Sequence, residues 1–137
     1  MAIAVIKNIP DRITDSEVLT ILKSNKVTGS YIAYIKDFTN IKDELLSLWL
    51  NVNVKTFRSY KRGDVMLKEN LQEQVILLIS LFKHGVEVFG TVDDFIMWLE
   101  SDNFFLDFDK PINYLTTVTG IRFIGDRLTA IEFGDNV

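Results

Sequence analysis

Residues 43–62 of the chain read DELLSLWLNVNVKTFRSYKR. Two short helical patterns flank a tight turn in this segment, which is typical of a helix-turn-helix. Ser47 is the small residue needed where the second helix crosses the first. Asn51 suits a turn position with positive φ, and Asn53 suits the N-cap of the second helix. We therefore predict a helix-turn-helix over residues 43–62. The residues expected to close its core are Leu46, Leu50, Val52, Phe57 and Tyr60.

The second helix of this motif has a basic polar face, because no acid occurs between Asn53 and Gly63. In such motifs the second helix lies in the major groove of DNA, where Arg and Lys contact phosphates or guanine edges. We predict DNA binding, with Arg58 as the best candidate for reading a base. The alternative is a surface helix that is basic without a function. The predicted DNA-binding residues are Asn53, Lys55, Thr56, Arg58, Ser59, Lys61 and Arg62.

Helical periodicity dominates the rest of the chain and strand alternation is nearly absent, so we predict an all-α fold. The fold would be a helical bundle with a helix-turn-helix unit at residues 1–68 and a second helical unit at residues 69–137. Residues 1–13 show no helical period and are expected to form an extended arm. Gly63 suits the position just past a helix end. Helices are predicted at about residues 14–24, 28–38, 41–50, 54–62, 70–89, 91–100 and 117–133.

Charge is divided unevenly along the chain. Residues 1–85 contain 12 Lys and Arg against 9 Asp and Glu, a balance of +3, whereas residues 86–137 contain 3 against 10, a balance of −7. A basic first part and an acidic second part indicate two partners of opposite electrostatic character.

Composition excludes several function classes. Cysteine is absent and His84 is the single histidine, which excludes disulfides and thiolate chemistry and argues against a zinc site. No apolar run reaches the roughly 18 residues of a membrane span, and no signal peptide is recognisable. We expect a cytoplasmic protein that has no metal, cofactor or membrane contact. A hydrolase using the acidic residues of the second part is disfavoured, because the chain lacks a phosphate-binding glycine loop and has few catalytic residue types.

Three sets of residues follow one another in a recognisable order along residues 41–134. They are Lys55-Thr56-Phe57-Arg58; then Val88-Phe89-Gly90, Trp98-Leu99, Asn103, Leu106, Pro111 and Leu115; and then Thr117, Gly120, Ile124, Leu128, Ile131 and Gly134. In these sets the chain resembles the Xre/MbcA/ParS family of antitoxins, which combines an Xre-like helix-turn-helix with a toxin-binding helical domain. Asn51, Asp102, Asp107-Phe108 and Gly125 depart from the family's pattern, as expected of a divergent member.

The resemblance implies an antitoxin of a type II toxin–antitoxin pair. Such a protein would neutralise a RES-type toxin that consumes NAD, and would repress the shared operon by binding operator DNA. The alternative is a stand-alone transcriptional regulator whose C-terminal half only dimerises. In the family the C-terminal helix and tail face the toxin. The residues implied here are Arg127, Ile131, Glu132, Phe133 and Asp135.

One recognition helix makes few DNA contacts, and such proteins usually bind paired half-sites. We therefore expect a homodimer or a larger hetero-oligomer that includes the toxin. Phe104, Phe105 and Phe108 are apolar residues beyond those that a monomer core needs, and they are candidates for the dimer interface.

Overall fold

The structure, a computed structural model, describes residues 2–62 and 65–134. Extended backbone pairs there in one place, an antiparallel bridge between Thr28 and Met66. The predicted all-α fold is confirmed. Gly63 and Asp135 lie outside the described residues. The α-helices are α1 Ala2–Lys7, α2 Asp15–Ser24, α3 Gly29–Thr39, α4 Asp43–Trp49, α5 Val54–Lys61, α6 Glu69–Phe89, α7 Val92–Leu99 and α8 Val118–Glu132, with short 3-10 helices at Phe104–Leu106 and Pro111–Tyr114.

Five α-helices begin at a capping side chain, whereas Lys42 and Lys68, before α4 and α6, form no such bond. Thr14 and Glu17 form a capping box at the start of α2, in which each side chain bonds to the other residue's backbone N–H. An N-cap of this kind stabilises a helix by about 1 kcal/mol, because it satisfies a backbone donor that has no partner within the helix. The N-cap residues whose side chains accept such a bond are Thr14, Thr28, Asn53, Thr91 and Thr117.

Helix α6 is the central element of the fold. It is buried on nearly all sides because α2, α3, α7 and α8 pack around it. A Cβ atom at Gly85 would come within 2.3 Å of the Phe95 ring, so glycine at this position lets α7 approach closely. No single helix in residues 2–62 and 65–134 is long and apolar enough to cross a membrane. Helices α6 and α7 reach the required length and apolar composition only when taken together, and the chain bends by 102° between them.

Aromatic side chains join the first and second parts of the chain in one core. Trp49 of α4 contacts Phe82 of α6 with ring centroids 5.7 Å apart, and Phe82 contacts Phe95 of α7 at 5.1 Å. Phe95 and Phe89 both pack against Trp98. These rings therefore serve packing, as expected of edge-to-face and offset aromatic contacts. The division into units at residues 68 and 69 stays a prediction.

The predicted extended arm at residues 1–13 is wrong for its first half, since residues 2–7 form α1. Lys83 of α6 donates from Nζ to the backbone oxygens of Ile6, Lys7 and Ile9 at 3.1, 3.0 and 2.8 Å. It thereby binds the carbonyl end of α1, where a cation is favourable. A six-residue helix is too short to show a period or to be stable alone, so the sequence could not indicate it. Ser80 fixes the following segment by accepting from the Ile13 N–H at 3.0 Å.

Candidate functional sites

Helices α4 and α5 form the predicted helix-turn-helix. Asn51 adopts a left-handed φ of 57°, and the next amide, that of Val52, donates back to the Ser47 carbonyl at 3.1 Å. Ser47 is buried at the crossing, and the Asn53 Oδ1 accepts from the Thr56 N–H at 2.8 Å. The roles predicted for Ser47, Asn51 and Asn53 are confirmed. Of the predicted core residues, Val52 is partly buried against the core. The other four are buried: Leu46, Leu50, Phe57 and Tyr60.

The polar face of α5 is basic and open to solvent. Its four cations, Lys55, Arg58, Lys61 and Arg62, line a single groove. The side chain of Lys61 is the most covered of the four. Four of the seven predicted DNA-binding residues therefore lie together along this groove, and Ser59 is exposed on the same helix.

Asp43, in the first turn of α4, lies against this basic face. Its carboxylate accepts from Lys61 Nζ at 2.9 Å, from Arg58 Nε at 3.2 Å and from Lys36 Nζ at 3.1 Å. The hydrogen bond from Lys61 holds the pKa of Asp43 far below its usual range, with further help from Lys36 and Arg58. The sequence of α5 thus contains no acid, but in the folded chain Asp43 of α4 lies beside its basic face. Sequence reasoning missed Asp43, which had no signal beyond its being an acid at a helix start.

Arg58 is held at one end of its guanidinium. Its Nε donates to Asp43, while Nη2 lies 3.7 Å from Glu44 Oε2. Fixing Nε in this way limits the rotation of the side chain, and the terminal nitrogens remain the part that can form a two-bond contact with a base or phosphate. Lys55 and Arg62 are exposed on the same face.

The turn of the motif is tied to the C-terminal part of the chain. Asn51 Nδ2 donates to the Thr116 carbonyl at 2.8 Å, just before α8. Gln74 of α6 donates from Nε2 to the carbonyl of Trp49 at the end of α4. These hydrogen bonds fix the orientation of the helix-turn-helix relative to α6 and to the segment before α8.

The end of α8 carries the residues implied in partner binding. Phe133 is 79% exposed, and Ile131 is partly buried against the core. Glu132 is paired within the chain, since its Oε1 lies 2.6 Å from Nε2 of the buried His84 and its Oε2 accepts from Arg12 Nη2 at 2.8 Å. The sequence indicated no partner for His84, and its pairing with Glu132 across 48 residues is visible only in the fold.

Two further carboxyl groups lie beside this pairing. Asp11 and Glu87 share a hydrogen bond, which lowers the pKa of Asp11 and raises that of Glu87. His84 acts electrostatically on both groups. The segment before α2 is therefore held against α6 and α8 by charged and hydrogen-bonding groups as well as by apolar contacts.

Arg127 of α8 lies over an exposed aromatic turn, which we define as residues 103–109. The Arg127 guanidinium carbon is 4.0 Å from the centroid of the Phe105 ring, a cation–π contact. Phe104 lies edge-on to both Phe105 and Phe108, with ring centroids 5.5 and 5.7 Å apart. The aromatic turn and α8 thus form one continuous surface.

Comparison with known proteins assigns this C-terminal region. Residues 84–134 match the antitoxin Xre/MbcA/ParS C-terminal toxin-binding domain. Over this segment the chain is similar to the Xre/MbcA/ParS antitoxin family. The match begins within α6 and does not include α4 or α5, and no curated protein matches the chain. The aromatic turn, His84 and α8 all lie inside the toxin-binding domain.

The toxin-binding domain is built around two glycines with structural roles. Gly90 ends α6 with a φ of 95°, a conformation that favours glycine. At Gly120 a Cβ atom would lie 1.8 Å from the carbonyl oxygen of Tyr114, so only glycine lets α8 begin so close to the preceding 3-10 helix. Both glycines belong to the sets that carried the resemblance. Of the residues implied in toxin binding, Arg127, Ile131, Glu132 and Phe133 lie on the last two turns of α8 or just beyond them.

Proposed function

We propose that the protein is an antitoxin of a type II pair, which binds and neutralises its toxin and represses its own operon in the cytoplasm. The observation that carries the proposal is the toxin-binding domain at residues 84–134. The helix-turn-helix with its exposed basic groove supports the second activity. Neither role needs catalysis by this chain.

The partner we propose is a RES-type toxin that consumes NAD. An enzyme that binds a phosphate-bearing dinucleotide needs cationic groups in its cleft, and the balance of −7 after residue 85 is complementary to such a cleft. Phe133, at the exposed end of α8, is the apolar group best placed to enter it. Glu132 keeps free acceptor sites for a basic toxin group even while Arg12 and His84 bind it, since an ionised carboxylate has about four lone-pair positions.

Repression requires contact between α5 and the operator. Lys55, Ser59 and Arg62 are exposed and can contact DNA. Arg58 can contact DNA with its terminal nitrogens while Asp43 binds its Nε. We propose that the DNA-bound form is a dimer, alone or with toxin, because one short helix covers only one half-site. The alternative is a stand-alone regulator. The helix-turn-helix is complete within this chain, so it could bind DNA without a toxin, as that alternative requires.

The test is deletion of residues 132–137 in a chain co-expressed with the product of the adjacent gene. We expect the truncated chain to fold and to shift operator DNA, yet to leave cells unprotected and their NAD depleted. Phe133→Ser in the full chain is the matched control for the apolar group alone, because it keeps Glu132 bound to His84 and Arg12. Full protection by the truncated chain would show that inhibition arises elsewhere. An adjacent product that is not toxic and does not bind would favour the stand-alone regulator.

A further inference from the structure

Three exposed phenylalanines are concentrated in the aromatic turn. Phe104, Phe105 and Phe108 are 71%, 44% and 66% exposed, although they contact one another. Solvent-facing clusters of large apolar side chains are uncommon on proteins that act alone and commonly mark a contact surface. Aromatic side chains are also the residues that contribute most to binding energy at protein interfaces.

The backbone that carries these rings is held by hydrogen bonds within the turn. Asn103 is buried, its Oδ1 accepts from the Phe105 N–H at 2.9 Å, and its carbonyl accepts from the Phe108 N–H at 2.8 Å. The Asn103 N–H in turn donates to the Asp109 carbonyl at 3.0 Å. A surface whose backbone is already ordered loses less conformational entropy when a partner binds.

Two consecutive residues of the turn have left-handed backbone. Asp107 has a φ of 54° and Phe108 a φ of 67°. Asp tolerates this region, but for a bulky residue such as Phe it is a rare and unfavourable conformation. Phe108 does not gain burial in exchange, so the stability of the isolated chain does not account for it. Strain of this kind is typical of positions that serve binding.

The charges around the rings distinguish between possible occupants. Asp102, Asp107 and Asp109 are exposed in or beside the turn, against the cations Lys110 and Arg127, so acids are in excess around the rings. A contact between two copies about a two-fold axis would place this acidic excess against itself, which is unfavourable. A partner with cationic groups around an apolar contact would be attracted instead.

We infer that the aromatic turn is a contact surface for the toxin, with the phenyl rings as apolar anchors and the flanking acids facing cationic toxin groups. The inference rests on the proposed function and extends the expected toxin contact from the end of α8 to the aromatic turn. Arg127, which stacks on Phe105, connects the two. The aromatic turn lies within the matched toxin-binding domain, which makes it continuous with the surface expected to meet the toxin.

The experiment compares two double variants in titrations with the purified, tagged product of the adjacent toxin gene. Phe104→Ser with Phe108→Asn removes the anchors and places at 108 a residue that accepts left-handed backbone. Leu19→Ser with Leu48→Ser is the control, since these leucines are similarly exposed, at 54% and 61%, and lie outside the matched domain. We expect the aromatic variant to bind about tenfold or more weakly and the control to bind as the unmodified chain does.

Each other outcome contradicts a stated part of the inference. If the unmodified chain binds the toxin and the aromatic variant binds within twofold of it, the aromatic turn is not a toxin contact and the proposed function stands. If the unmodified chain does not bind, the proposed function fails and the inference fails with it. If the aromatic variant becomes monomeric where the unmodified chain is dimeric and toxin binding persists, the occupant is a second copy. The single variant Phe108→Asn is the check on folding. We expect its Tm to be unchanged or higher.

Discussion

The turn of the helix-turn-helix and the aromatic turn both place non-glycine residues in left-handed backbone, and they differ in what those residues do. At the turn of the helix-turn-helix, Asn51 fills the position with a residue suited to it, and its side chain bonds to Thr116. At the aromatic turn, Asp107 and Phe108 fill two such positions, and the Phe108 side chain lies in solvent. The first turn is understandable from the stability of the chain alone. For the second we propose a role in contact with the toxin, because Phe108 stays exposed.

The largest effect is expected on DNA binding by α5, the helix that follows the first turn. Changing Arg58 and Arg62 to Ala should weaken operator binding by about 1–3 kcal/mol for each base or phosphate interaction that the change removes. Affinity should also fall steeply with salt, because phosphate binding releases counterions. Gel shifts over a salt series would measure both effects. A double variant with unchanged gel shifts would mean that α5 does not contact DNA.

A smaller effect is expected when the Asn51 position itself is disturbed. Asn51→Val should lower the free energy of unfolding by about 2 kcal/mol, because a β-branched residue is unfavourable in left-handed backbone and cannot form the bond to Thr116. Asn51→Gly removes only the bond and should cost about half as much. Urea unfolding of both variants would measure the difference. Equal costs would show that the backbone conformation is not what selects Asn51.

The support of the basic face should depend on pH. Asp43 has a lowered pKa when folded, so its ion pairs stabilise the protein fully above the unfolded value of 3.8 and lose that contribution as pH falls towards the folded value. Asp43→Asn should therefore lower the free energy of unfolding at pH 7, by about 1 kcal/mol given that partly exposed pairs are weak. The difference from the unmodified chain should shrink towards pH 3. A difference that is constant with pH would contradict the ion pairing.

The smallest effect on stability is expected at the second turn, and its sign is the informative part. Phe108→Asn relieves unfavourable backbone at an exposed site and removes only the edge-on packing against Phe104. The free energy of unfolding should stay the same or rise by up to about 1 kcal/mol. Thermal and urea unfolding would measure it. A clear loss of stability would show that Phe108 serves folding, which would remove the contrast between the two turns.

The recognition motif shows how far the sequence reached and where it stopped. The crossing residue Ser47, the left-handed Asn51 and the N-cap Asn53 were all predictable, because each is required by interactions within a few residues of chain. The ion pairs of Asp43 with Arg58 and Lys61 were not, since they join residues that only the crossing of α4 and α5 brings together.

The sequence by itself determined the all-α class, the starts of the capped helices, the helix-turn-helix and the resemblance that the match at residues 84–134 supports. Those features depend on local periodicity, capping and residue type. Only the tertiary structure decided that residues 2–7 form a helix on Lys83, that Glu132 pairs with Arg12 and His84, and that Arg127 stacks on Phe105. The physical reason is separation along the chain: Arg12 and Glu132 are 120 residues apart. A contact of that kind forms only after the core around α6 has placed both groups at the same end of the bundle.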